Sequence, residues 1–227
     1  MVHAETSTGV ENHIAPLRAL QATNTLLLVD AVTSLAGIPL DVDGWGIDAC
    51  YSGTQKCLGV PPGLSPVTFS PRAVERITGR STPVQSWYLD LGLIGDYVGT
   101  ARKYHHTAPT GMIVGLHAGL GAVLEEGLPE VWARHRVVGT ALQDALVEIG
   151  FSLIAAQAVR LPQLSSARLP EGTDEAELRR RLLVEYSIEV GGGLGAFAGV
   201  AWRIGLMGHT ARPRSVAALL GALRELL

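Results

Sequence analysis

An α/β fold, with a mostly parallel sheet in its first part and a smaller α+β unit after it, is the architecture the sequence predicts. Three observations carry that expectation. Short apolar runs alternate with helical patterns as far as Leu124, the order that builds sheets flanked by helices. The texture then changes, near residue 126, to short strands with helices between and after them. Hydrophobic residues make up 47% of the 227 positions, enough for a substantial core.

The elements follow in order. "TLLLVDAVTSLAG" opens with a buried strand, Leu26–Val29, that ends on Asp30. Residues 47–53 ("IDACYSG") and 64–69 ("LSPVTF") are two further strands, separated by the turn signal Pro61-Pro62-Gly63. Ser70-Pro71 supplies an N-cap and a first-turn proline for a helix. Residues 111–125 form another helix, with Leu116, Leu120, Val123 and Leu124 on one stripe and Gly127 ending it. A longer helix from about Pro129 to Ile149 is expected to bury Trp132, His135, Val138, Leu142 and Leu146. Strands are expected near 151–155, 163–169, 187–190 and 201–205, and helices at about 174–186 and 213–227. Asp174 and Glu175 in the opening turn of the first of these suit the helix dipole. The division falls between residues 1–126 and 127–227. No internal repeat or low-complexity tract interrupts either part.

Composition narrows the function. Lys and Arg total 18 against 21 Asp and Glu, a net charge of −3. The clusters at Arg72–Arg80, Arg102–Lys103, Arg134–Arg136 and Arg179–Arg181 are dispersed and suit solvated faces. No basic stripe offers itself to nucleic acid. No apolar run is long enough to span a membrane, and "MVHAETSTGV" has no apolar leader core. Cys50 and Cys57 make no metal pattern, and a reducing, cytoplasmic setting is expected. His105-His106 lacks further ligands to complete a metal site, so packing or hydrogen bonding is its expected use. "GGGLG" (191–195) is expected to be a tight turn rather than a phosphate loop. Cys57 is expected to be a small packing residue.

Two residues invite a chemical reading. Asp30 sits at the C-terminal end of an apolar strand, the edge where open α/β sheets bind ligands. It could equally cap a helix or close a turn. Lys56, in "YSGTQKCLGVPP" (51–62), lies among small and apolar residues, and could be an ordinary loop lysine. Together at one sheet edge, an amine and a carboxylate have a specific use. Pyridoxal phosphate needs a lysine for its Schiff base and an acid opposite its ring nitrogen. Arg203, between Trp202 and Ile204, needs an anion. Its planar fork suits a carboxylate, either a substrate's or that of a structural ion pair.

The stretch "LLLVDAVTSLAGIPLDVDGWGIDACYSGTQKCLGVPPGLSPVTFSPRA" resembles the class V aminotransferases of the alanine–glyoxylate and serine–glyoxylate group. "KYHHTAP" (103–109), "RLPQLSS" (160–166), "EVGGGLG" (189–195) and "WRIGLMG" (202–208) match in the same order. The resemblance implies a pyridoxal-phosphate-dependent transferase of fold type I. It makes Lys56 the Schiff-base lysine, Asp30 the partner of the pyridinium nitrogen and Val32 the side chain beneath the ring. Thr6 becomes a hydroxyl beside the ring's phenolic oxygen, and Gln55 a phosphate contact. Tyr104 and Thr107 become phosphate contacts given to a neighbouring subunit, which implies a homodimer. Arg203 becomes the grip on the substrate carboxylate.

The activity so implied is transamination from alanine or serine to glyoxylate, giving a 2-oxo acid and glycine by ping-pong exchange on pyridoxal 5'-phosphate. Another donor, such as ureidoglycine, is compatible with the same motifs. Cysteine desulfurases of this fold usually carry His before the lysine and a later reactive Cys, whereas Gln55 precedes Lys56 and no Cys follows Cys57. Members of the group also carry a large portion ahead of "ETSTG", with a Gly-rich phosphate turn and a ring-stacking aromatic residue. The chain is therefore expected to be N-terminally truncated. As an isolated polypeptide it is expected to bind cofactor weakly, and it could be an inactive fragment.

Overall fold

A computed structural model describes residues 1–227. The chain begins with a short hairpin, β1 (Ala4–Glu5) and β2 (Val10–Glu11), followed by a 3-10 segment over Ala15–Ala22. A three-stranded sheet then forms in the order β3 (Leu28–Asp30), β4 (Ala49–Tyr51), β5 (Val67–Phe69). β3 and β4 are parallel, with Asp30 opposite Tyr51. The sheet is mixed rather than mostly parallel, because β5 returns antiparallel to β4. A parallel return needs a crossover helix, and residues 52–66 contain none. Period-2 alternation turns Val29 and Cys50 into a small core with Ile14, Leu27, Ala31 and Ile47. It leaves Leu28, Tyr51 and Val67 exposed on the other face.

Helix α1 (Pro71–Thr78) starts as the sequence suggests. The Ser70 hydroxyl accepts the Ala73 amide and donates to the buried Asp48 carboxylate. Helix α2 (Leu91–Val98) was not foreseen; Asp90 caps it through the Gly92 and Leu93 amides. Helices α3 (Thr110–Glu126) and α4 (Leu128–Glu148) meet at Gly127. Of the expected α3 stripe, Leu116 and Val123 pack against Ala36, Cys57 and Leu58, while Leu120 and Leu124 stay exposed.

The second sheet has the order β6 (Ser152–Leu153), β7 (Leu164–Arg168), β9 (Ala201–Gly205), β8 (Gly191–Gly192), antiparallel throughout. Helices α5 (Glu175–Tyr186) and α6 (Pro213–Leu226) join α4 on one of its faces. The resulting core of 17 buried residues runs from Val138 to Leu223 and centres on Trp202. Trp202 Nε1 donates to the buried Glu175 carboxylate at 2.8 Å. "GGGLG" supplies edge strand β8 before its turn, instead of a turn alone.

Candidate active site

The end of β3 carries the first functional side chain. Asp30 is held by its backbone, donating to Met1 and accepting from His3, so that residues 1–3 run parallel beside the strand. Its side chain is also held. Oδ1 accepts the Val32 amide at 2.9 Å, and Oδ2 accepts the Tyr51 hydroxyl at 2.7 Å. The hydrogen bond to Asp30, with some burial, pushes the Tyr51 phenol above its ordinary range. Val32 lies two residues further on, with Ser52 Oγ donating to the carbonyls of Ala31 and Val32.

Lys56 sits in the turn after β4, at the same end of the sheet. Thr54 Oγ1 donates to the Pro61 carbonyl and the Gly59 amide to the Lys56 carbonyl, which closes the turn. Lys56 is half-buried, and no carboxylate forms an ion pair with it within 4.0 Å. Gln55 beside it is exposed. Cys57 is buried, and burial pushes its thiol up to about 12, so it packs rather than reacts. Thr6 enters this edge from β1, whose chain has just passed Asp30.

A glycine from the second half locks the lysine turn. Gly208 (φ 55°) leaves no room for a side chain, since a Cβ there would lie 2.8 Å from the Gly59 Cα. Its amide donates to His135 Nε2 and its carbonyl accepts Arg134 Nη1. Arg134, expected on a solvated face, is instead half-buried and also clasps Glu126. His135 is fully buried, with Nδ1 donating to the Val131 carbonyl.

Arg203 lies on β9. Trp202 and Ile204 turn into the core, so Arg203 occupies the opposite face together with its register partner Ser166. Ser166 Oγ donates to the Ser7 carbonyl at 3.0 Å, so this is the face on which the Thr6 turn rests. Arg203 Nε donates to the Gly192 carbonyl, and no carboxylate pairs with the guanidinium. Strand pairing sets Asp30 beside Tyr51, with Val32, Gln55 and Lys56 in the segments that follow them, and the Ser166–Ser7 hydrogen bond brings the strand of Arg203 against the turn that contains Thr6.

Tyr104 and Thr107 are not hydrogen-bonded to that region. Tyr104 is 75% exposed, and its hydroxyl lies 3.1 Å from that of Thr107. Neighbouring His105 stacks on Trp87 and shares a 2.8 Å hydrogen bond with His106. The residue that sequence reasoning passed over is Tyr51. Its signal was its position one residue beyond Cys50 at the strand end, which becomes useful only once the β3–β4 register is known.

These groups fit pyridoxal phosphate. Asp30 offers a carboxylate held in one orientation, Lys56 an amine that pairs with no acid, and Thr6 and Gln55 a hydroxyl and an amide in neighbouring turns. With its mixed α/β sheet, the chain has the fold of the type I pyridoxal-phosphate-dependent transferases.

Comparison with known proteins narrows the class. The family described as Aminotransferase class-V matches residues 1–212. The curated alanine–glyoxylate aminotransferase of Callithrix jacchus is 38% identical over 232 residues, covering all of this chain and 56% of the relative. The crystal structure of an alanine–glyoxylate aminotransferase from Nostoc sp. superposes with a TM-score of 0.96 at 46% identity, covering 99% of this chain and 60% of that one. That of the ureidoglycine–glyoxylate aminotransferase from Bacillus subtilis gives 0.97 at 38% identity, covering 100% and 59%. The chain belongs to the class V aminotransferases. It spans somewhat under two thirds of the length of these relatives, and the family's cofactor is pyridoxal 5'-phosphate.

Proposed function

We propose that this chain is part of a pyridoxal-phosphate-dependent aminotransferase that moves the amino group of a small amino acid to glyoxylate. One observation supports the reading: Asp30, its carboxylate oriented by Val32 and Tyr51, and Lys56, which pairs with no acid, lie at the C-terminal ends of neighbouring parallel strands. The names of the relatives support glyoxylate as acceptor, and alanine or ureidoglycine as donor. Serine is a further candidate donor from the motif resemblance. Residues 1–126 then form the C-terminal part of the cofactor-binding domain, and 127–227 the smaller domain.

When bound, pyridoxal phosphate supplies an electron sink for the bonds at the substrate Cα. The protein's own groups do the rest. Asp30 would accept the ring N–H, and Val32 would pack its methyls against the ring. Thr6 and Gln55 would donate to the phenolic oxygen and the phosphate. The Lys56 amine would hold the cofactor and would serve as the base and acid that takes and returns the substrate Cα proton. Arg203, its Nε occupied by Gly192, offers its remaining N–H groups to the substrate carboxylate. Tyr104, exposed beside Thr107, would reach with it the phosphate held by a second protomer, and this reading makes the working unit a homodimer.

The test is to supply the purified protein with pyridoxal phosphate and glyoxylate, and to offer alanine, serine and ureidoglycine in turn. Glycine formation is expected with at least one donor. Lys56→Ala is expected to lose the visible absorbance of the lysine-bound cofactor and to slow turnover by at least ~10²-fold, the range for a lost general acid–base. A Lys56→Ala protein making glycine at the wild-type rate overturns the reading.

A further inference from the structure

The Tyr51 hydroxyl has no evident reason to exist as a packing group. The ring lies on the open face of the sheet, 46% exposed, beside exposed Leu28 and Val67. A phenylalanine would cover the same apolar surface. The hydroxyl makes one hydrogen bond, to Asp30 Oδ2 at 2.7 Å. The register makes that bond possible, because direct partners on neighbouring strands present their side chains to the same face. The Val32 amide occupies the other oxygen, so both Asp30 oxygens are pinned and the plane of the carboxylate is fixed. Each oxygen keeps a lone pair to accept a further proton donor.

We propose that Tyr51 is a positioning residue that holds the Asp30 carboxylate in the orientation needed to receive the cofactor's ring N–H. The inference rests on the reading of Asp30 given above and extends it by one layer. In this role Tyr51 acts through Asp30, to which its hydroxyl donates, as outer ligands orient inner ones at metal sites. Because its phenol is harder to ionise than usual, it remains a donor across the neutral range.

Tyr51→Phe, Asp30→Asn and the double variant test this with pyridoxal phosphate labelled with ¹⁵N in the ring. The dissociation constant and the pH titration of the bound ring nitrogen are read for each protein, alongside the melting temperature without cofactor. Tyr51→Phe is expected to weaken cofactor binding about five- to ten-fold, the scale of one ordinary net hydrogen bond. It is also expected to lower the pH at which the ring nitrogen loses its proton, since a carboxylate free to rotate meets the N–H less often. The melting temperature should be unchanged. In the Asp30→Asn background the same substitution should alter neither quantity. A Tyr51→Phe protein whose ring nitrogen titrates as in the wild type overturns the inference and leaves Asp30 in its role. So does one that only melts earlier, the mark of a merely structural tyrosine. A wild type whose ring nitrogen is indifferent to Asp30→Asn removes the reading of the site, and the inference with it.

Discussion

Arg203 shows how strand alternation chooses the use of a single side chain. Its neighbours Trp202 and Ile204 are buried in the core, so the guanidinium emerges on the face occupied by the Thr6 turn and finds no acid there. Lysine at this position keeps the charge and loses the fork. Arg203→Lys is expected to raise KM for glyoxylate about ten-fold or more, in line with ~1.5–3 kcal/mol for a charge-assisted bond, while the absorbance of the bound cofactor is retained. Steady-state kinetics against glyoxylate, with a parallel spectrum, check it. Asp30, Lys56 and Arg203 stand out in the sequence because each is a charge in apolar company, which raises the question of its partner. Tyr51 was not, because its role depends on pairing with a residue 21 positions away. Glu175 was legible only in part. It sits in the opening turn of α5 as expected, but it also receives Trp202 and Arg179, partners that only folding reveals.

At the scale of elements, helices with strong periodicity were read to within a residue or two, and short strands less closely. α4 was expected from about Pro129 and begins at Leu128. α2 escaped because "LGLIGDYV" holds two glycines, poor helix formers, and depends on the Asp90 cap. The strand expected at 187–190 lies at 191–192, since Ser187 ends α5 in the left-handed region (φ 56°) and the chain must turn before it can pair. At Gly139, α4 passes so close to the segment before β7 that a Cβ would land on the Pro162 carbonyl. A helical Gly→Ala change ordinarily gains up to about 1 kcal/mol. Here the obstacle is backbone that cannot rotate aside, and overpacking costs about 1–3 kcal/mol. Gly139→Ala is therefore expected to lower Tm, by about 2–4 °C for each kcal/mol of net loss, as measured by calorimetry.

Across the whole molecule, two buried histidines tie stability to pH. Burial, with His13 nearby, lowers His3 to about 4, although Glu11 lies 3.9 Å away. Burial foremost also lowers His135, whose Nε2 must stay unprotonated to accept the Gly208 amide. Above about pH 6.5 both imidazoles are neutral in either state, and their contribution is complete. As pH falls from about 6.5 towards 4, the unfolded chain takes up protons that the folded chain refuses, and stability drops. For His3 the loss is about 3 kcal/mol. Urea midpoints between pH 7 and 4 should fall accordingly, and His3→Gln should flatten that decline. The general α/β plan was legible at this scale, because apolar strands alternating with helices leave few architectures. The clasp between the two halves was not, as nothing in "GLMG" announces that both polar atoms of one peptide-bonded glycine are gripped by consecutive residues of a helix more than 70 positions earlier. That clasp gives the two halves a shared footing. The strand bearing Arg203 leads straight into Gly208, and Gly208 bears on the turn that bears Lys56. A side chain at position 208 would therefore disturb the support of both residues at once.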